Sequence, residues 1–149
     1  MPDDLKGLER QIDEWIANMY NLAARLDAYE REDVIRRDLQ AVPKAIKTLQ
    51  DKLKAADNET VREQILQTLQ AKQQQLESLK SLQGMMEKAE LQMESTITAL
   101  GTVYSQLLLV GVKDIDSGRA RRLREDISEQ VNQLHDLVAS VDEVYAHRR

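Results

Sequence analysis

Few residues of this chain are suited to acid–base, nucleophilic or metal chemistry. The 149 residues include two histidines, His135 and His147, and no cysteine. A carboxylate-bridged di-iron bundle needs a glutamate three residues before a histidine, but Asn132 and Val144 occupy those positions. The sequence also lacks a P-loop, a Gly-x-Gly-x-x-Gly segment, a zinc ligand set and a Gly-x-Ser-x-Gly elbow. These absences predict a chain that is not an enzyme and that uses no cofactor or metal.

Three glutamates, Glu87, Glu90 and Glu94, recur at helical spacing and would share one face of a helix. Carboxylate oxygens are ligands that hard cations prefer. However, Lys88 lies within the same segment, and charged helix faces are mostly solvated. We interpret the three glutamates as a solvent-facing row rather than as a metal site.

The most suggestive cluster of polar residues is Arg119, Arg121, Arg122 and Arg124, directly after Gly118. Arginines near the free N–H groups of a helix N-terminus can bind phosphate or an anionic lipid head group. Residues 113–129 carry five basic and five acidic side chains, so the neighbourhood is neutral. Ion pairing within the chain is the favoured interpretation, and anion contact through the four arginines is the alternative.

Composition restricts the fold and the classes of partner. The chain is 42% hydrophobic and 32% charged, and it has only 5 Gly, 2 Pro and 3% aromatic residues. This profile is poor for a β fold and typical of long helices. The net charge of −5 argues against a nucleic-acid partner, for which a basic face is expected.

The length predicts a single domain over residues 1–149, which could itself be the soluble part of a larger protein. The acidic start, from Met1 to Asp4, does not resemble a secretory signal. The default expectation is therefore a cytoplasmic chain.

A heptad stripe runs through the first predicted helix, over residues 3–29. Its members are spaced alternately by three and four residues: Leu5, Leu8, Ile12, Trp15, Met19, Leu22, Leu26 and Tyr29. This spacing is typical of a helix that packs along its whole length. Trp15 on such a stripe is more often a core residue than a binding hot spot. Because the stripe is longer than packing within one chain requires, we also expect a partner or oligomer interface through Leu8, Trp15, Met19, Leu22 and Leu26.

Three further helices are predicted, over residues 33–56, 59–110 and 116–147. Asp33 and Asn58 are candidate N-caps, and Pro43 falls inside the second helix. The third helix would span about 50 residues, unless it breaks near Gly84. The predicted fold is all-α: an elongated antiparallel helical bundle or coiled coil with one long helix.

Residues 95–112 carry no charge over a full 18 positions, although they include several serines and threonines. We interpret them as a central bundle helix that is buried on most sides, because unpaired charge is costly to bury. On this interpretation Leu108→Ala should strongly destabilise the fold. If the segment instead binds a membrane surface, Leu108 should be exposed in solution.

These features favour a non-enzymatic interaction or oligomerisation module that serves as a structural scaffold. Its partner would be a second copy of the chain or another helical protein. The alternative is a peripheral membrane-associated protein that binds anionic lipid through Arg119, Arg121, Arg122 and Arg124.

Overall fold

The described part of the chain forms four helices. The computed structural model describes the backbone of residues 2–110 and 117–148, and side-chain exposure over residues 7–108 and over 118–144 apart from Ala120. The helices are α1 (Pro2–Arg31), α2 (Asp33–Ala55), α3 (Glu59–Val110) and α4 (Ser117–Arg148). The predicted all-α fold and its long third helix are confirmed, and α3 runs through Gly84 without a break.

Helices α1 and α2 follow one another with a single non-helical residue between them. Glu32 has φ −79° and ψ 89°, and its backbone N–H donates to the carbonyl of Tyr29. Asp33 was predicted to be the N-cap of α2, but it is the first helical residue and lies 3.7 Å from Arg36 as an ion pair. The cap position belongs to Glu32, whose side chain makes no capping hydrogen bond.

Helix directions follow from side-chain contacts that join distant parts of the chain. The Gln11–Ser128 and Arg25–Asp142 hydrogen bonds both link residues 117 apart, so α1 and α4 run parallel and in register. The Trp15–Thr96 bond places α3 beside α1. Because the short turn at residues 56–58 reverses the chain, α3 runs antiparallel to α2 and then to α1.

The long helix α3 therefore passes through two regions with different numbers of neighbours. We call the first region the hairpin: α2 with the first half of α3, about residues 59–80. We call the second region the bundle: α1, the second half of α3, and α4. Helix α2 packs on α3, whereas α1, α3 and α4 all contact one another.

The hairpin turn is closed by hydrogen bonds. The Asn58 side-chain oxygen accepts from the backbone N–H groups of Thr60 at 2.9 Å and Val61 at 3.3 Å, which confirms the predicted N-cap. The Arg62 guanidinium donates to the carbonyls of Leu53 at 2.8 Å and Ala56 at 3.3 Å. These bonds satisfy backbone groups that the two helix ends would otherwise leave without partners.

Two clusters of apolar side chains form the core. The bundle cluster includes buried residues from all three bundle helices: Leu8, Trp15, Leu22, Ala89, Val103, Leu123, Ile127, Val131, Leu134 and Leu137. The second cluster lies where the hairpin joins the bundle and contains Ile35, Val42, Leu79, Leu82, Met86 and Val141. Through Val141, the end of α4 closes the bundle against the base of the hairpin.

Candidate interaction surfaces

The predicted stripe on α1 lies in the core of the single chain. Leu8, Trp15 and Leu22 are buried, and Met19 and Leu26 are half-buried against the same cluster. Helices α3 and α4 provide the packing partners. The structure therefore assigns this stripe to the inside of one molecule rather than to a surface between molecules.

A polar layer crosses the bundle at the level of Trp15. The indole N–H donates to the Thr96 hydroxyl at 2.5 Å, and both residues are fully buried. Nearby, the Gln11 side-chain amide donates to the Ser128 hydroxyl at 3.0 Å. Buried polar groups are costly without partners, so these bonds set the relative position of the three helices.

One bidentate ion pair ties α1 to the far end of α4. The Arg25 guanidinium donates to both carboxylate oxygens of Asp142, at 2.7 and 2.8 Å. The hydrogen bond from Arg25 lowers the pKa of Asp142 below its ordinary value, and the bond to Asp142 raises the pKa of Arg25. The Asp142 side chain is 54% exposed, so solvent screens much of this attraction.

The arginine cluster sits at the start of α4. Arg119, Arg121 and Arg122 are exposed, and Arg124 is half-buried. Arg121 and Arg124 line an open groove along the outer face of α4, whose other lining residues are Glu125, Ser128, Glu129, Asn132, Gln133 and Asp136. Three carboxylates thus share the groove with two arginines, which makes it a mixed rather than a basic surface.

A smaller cleft of about 310 Å³ lies between α3 and α4. Trp15 forms its floor, and Asp126 and Glu129 stand beside it together with small and amide side chains from α3. Because Trp15 is completely buried, a ligand in this cleft would have to move other side chains to reach the indole ring. We assign it no chemistry.

The uncharged segment of α3 is not buried on most sides, contrary to the expectation from its sequence. Thr96 and Val103 are buried, but Ile97 is 55% exposed, Tyr104 63% and Leu108 59%. Among the described residues, those that pack against this part of α3 belong to α1 and α4, and the side of α3 away from them stays uncovered. The absence of charge from residues 95–108 is therefore not explained by burial within the chain.

The exposure of Leu108 also overturns the expected effect of Leu108→Ala. Truncating a buried leucine costs about 2–5 kcal/mol, whereas a largely exposed side chain has little packing to lose. We now expect only a small change in stability from this substitution. Leu109 and Val110, which belong to the same turn, lie outside the described side chains.

The exposed apolar side chains form a second row on α3 that the sequence reasoning missed. Ile97, Gly101, Tyr104 and Leu108 are spaced by four, three and four residues. The core row, Thr96, Leu100, Val103 and Leu107, has the same spacing and is offset by one residue. Because the two rows alternate along the sequence, they resemble one continuous apolar segment. Their spacing of three and four residues distinguishes them.

Glu87, Glu90 and Glu94 continue this exposed row toward the middle of α3, and all three are exposed as predicted. Within the described residues, no group of three or more histidine, aspartate or glutamate side chains is placed to hold a metal ion. No helix in the described part of the chain is long and apolar enough to cross a bilayer.

Toward the turn at residues 56–58, the seam between α2 and α3 is only half-covered, whereas Val42 and Leu69, farther from the turn, are buried in it. Leu49, Leu53 and Ile65 are half-buried, and the nearby Leu66 is 48% exposed. A two-helix seam has no third helix to cover its edges. The exposure of these side chains is therefore a consequence of helix number.

Comparison of the chain with protein-family models, curated proteins and solved structures finds no match.

Proposed function

We propose that this chain is a non-enzymatic helical interaction module, a scaffold that binds another helical protein or a further copy of itself. The observation that carries the proposal is the exposed row of Ile97, Tyr104 and Leu108 on α3. Single exposed apolar residues are common, but a contiguous apolar row on a soluble surface is typical of a binding site.

The position of the row supports this proposal. It lies on a long, continuous helix that the bundle core holds through the adjacent row of Thr96 and Val103. A rigid helix face can bind a second helix by burial of apolar side chains, with little loss of conformational entropy in the module itself. This is the mechanism that we propose for the scaffold.

Site-specific photo-crosslinking in cells that naturally make the chain tests the proposal. A crosslinking amino acid at Tyr104 should give adducts with protein. The same amino acid at Asn132, exposed on the outer face of α4, is the matched control. Adducts that form only from position 104 support an interaction module. If position 104 gives no more protein adducts than position 132, the proposal is wrong.

Peripheral membrane association is the second candidate, and the exposure of Leu108 favours it. Leu108 lies near the C-terminus of α3, and the exposed Arg121 and Arg122 lie near the N-terminus of α4, at the same end of the bundle. Basic and apolar side chains at one end of a helical domain can together bind an anionic bilayer. Co-sedimentation with anionic vesicles tests this function: Arg121→Ala with Arg122→Ala should abolish it, and no sedimentation of the wild-type chain would exclude it.

A further inference from the structure

The outer flanks of α1 and α3 meet on the side of the bundle away from α4. Gln11 and Arg25 mark the flank of α1 that contacts α4, and Gln92 marks the corresponding flank of α3 through its hydrogen bond to Gln133. The opposite flanks therefore border each other. We call their surface the α1–α3 face; its rows are Glu9, Asp13, Ile16 and Tyr20 on α1, and Glu87, Glu90, Glu94, Ile97, Gly101, Tyr104 and Leu108 on α3.

This face is open and has an apolar centre. Tyr20 is 74% exposed, Tyr104 63% and Ile97 55%. A methyl group placed on Gly101 would meet no atom within 4 Å from the rest of the described structure, so the described helices leave the middle of the α3 row uncovered. There is room for a further helix along this surface.

The charge on this face is of one sign. Over the described positions of residues 9–20 and 87–108, its two rows contain five carboxylates, Glu9, Asp13, Glu87, Glu90 and Glu94, and no lysine or arginine. All five are exposed. A ligand that lies along the face must place its own charges beside these acids.

Acidic and apolar positions of the two helices lie opposite each other along the face. The contact between Trp15 and Thr96, together with the antiparallel direction, places Tyr20 level with the glutamates of α3 and Glu9 level with Gly101 and Tyr104. Each end of the face thus offers apolar side chains on one helix and carboxylates on the other. A helix fits this pattern when it has an apolar stripe with basic residues beside it.

We propose that the α1–α3 face binds an amphipathic helix of another protein, with basic residues flanking its apolar stripe, and that this helix completes a four-helix bundle. The inference rests on the proposed function, because it specifies the partner of the same exposed row. A second copy of the chain fits less well, since it would place the same carboxylates against each other without compensation. An anionic lipid surface is disfavoured for the same reason.

A synthetic helical peptide is a direct probe of this binding. The probe is a fluorescently labelled 21-residue peptide with a leucine stripe and lysine flanks, and its control carries glutamate at every lysine position. Fluorescence anisotropy of each peptide is measured against the full chain. We expect the lysine peptide to bind at least tenfold more tightly than the glutamate peptide.

Ile97→Asp separates docking on the face from attraction by overall charge. The substitution adds a negative charge, so binding driven by charge alone would persist or strengthen. Docking of an apolar stripe on the face would instead weaken at least tenfold. Leu66→Asp adds the same charge at a comparably exposed position of the hairpin and should leave binding unchanged.

A double substitution, Glu90→Lys with Glu94→Lys, gives a second test that leaves every apolar residue in place. It should sharply reduce the preference for the lysine peptide, because the face then carries three carboxylates and two lysines. Two binding results would overturn the inference. One is equal binding of the lysine and glutamate peptides to the wild-type chain, and the other is undiminished binding of the lysine peptide to the Ile97→Asp chain. A wild-type dimer in sedimentation that Ile97→Asp converts to monomer would also overturn it, although that result would keep the interaction module and assign the face to a second copy.

Discussion

The bundle and the hairpin differ in how completely the same kind of heptad stripe is buried. In the bundle, Trp15, Leu22 and Leu134 are inaccessible to solvent. In the hairpin, Leu49 and Leu53 occupy equivalent stripe positions on α2 and remain half-exposed. Val42 and Leu69 are nonetheless buried in the hairpin, so a third helix raises the number of fully buried stripe positions by covering the edges of the seam.

Helix α3 shows this difference within one element. In the hairpin its inner side includes the half-buried polar residues Lys72 and Gln75, whereas in the bundle Leu82 and Ala89 are fully buried. Polar side chains are tolerated at a seam that water can reach. The hairpin should accordingly be the less stable region, and substitutions should affect the two regions differently.

The largest expected loss of unfolding free energy comes from Leu22→Ala in the bundle core. Truncation of a fully buried leucine should cost about 2–5 kcal/mol of unfolding free energy. Leu49→Ala, the matched change in the half-buried hairpin seam, should cost clearly less. Chemical denaturation followed by circular dichroism measures both, and equal costs would remove the distinction between the regions.

Loss of the buried Trp15–Thr96 hydrogen bond should rank second. Thr96→Val keeps the side-chain shape but leaves the indole N–H buried without an acceptor, which costs about 1–3 kcal/mol. Adding Trp15→Phe to this variant removes the orphaned donor. A double-mutant cycle should therefore show strong coupling, and simple additivity would contradict a bond between these groups.

A smaller effect, confined to the hairpin, is expected from Asn58→Ala. The substitution removes the acceptor for the N–H groups of Thr60 and Val61, at a cost of about 0.5–2 kcal/mol. Trp15 is the single tryptophan and lies in the bundle. The unfolding transition followed by its fluorescence should therefore shift little. A large shift in the fluorescence transition would mean that the two regions unfold as one unit.

The smallest effect is expected from the ion pair between Arg25 and Asp142. Asp142→Asn should destabilise the chain at neutral pH by at most about 1 kcal/mol, because the pair is partly exposed. The pKa of Asp142 is lowered in the fold, so the contribution is present above the ordinary carboxylate pKa and is lost as pH falls through the lowered value. Wild type and variant should therefore converge in acid, and a difference that grows with acidity would contradict the assigned pair.

Much of the fold follows from sequence spacing alone. The alternation of three and four residues from Leu8 to Leu26 identifies a packed helix, and Asn58 marks the hairpin turn. The predicted helix ends lie within two residues of the observed ones. These local patterns predict helices and their ends correctly because stripes and caps depend on residues within one or two turns of the same helix.

The interaction surface could not be predicted in the same way, because heptad spacing does not say what covers a stripe. The α1 stripe was expected at an interface with another chain, but α3 and α4 bury it. The uncharged stretch around Tyr104 was expected to be buried, but only two helices pack there. Both errors concern how many helices meet at a given level, which depends on long-range packing rather than on local pattern.

Hydrogen exchange followed by mass spectrometry tests the central contrast most directly, because α3 serves as its own internal standard. Amides near Leu66 in the hairpin half of α3 should exchange at least about tenfold faster than amides near Thr96 in the bundle half, since less apolar surface protects them. Uniform protection along α3 would contradict the division of the molecule into a fully packed bundle and a half-covered hairpin.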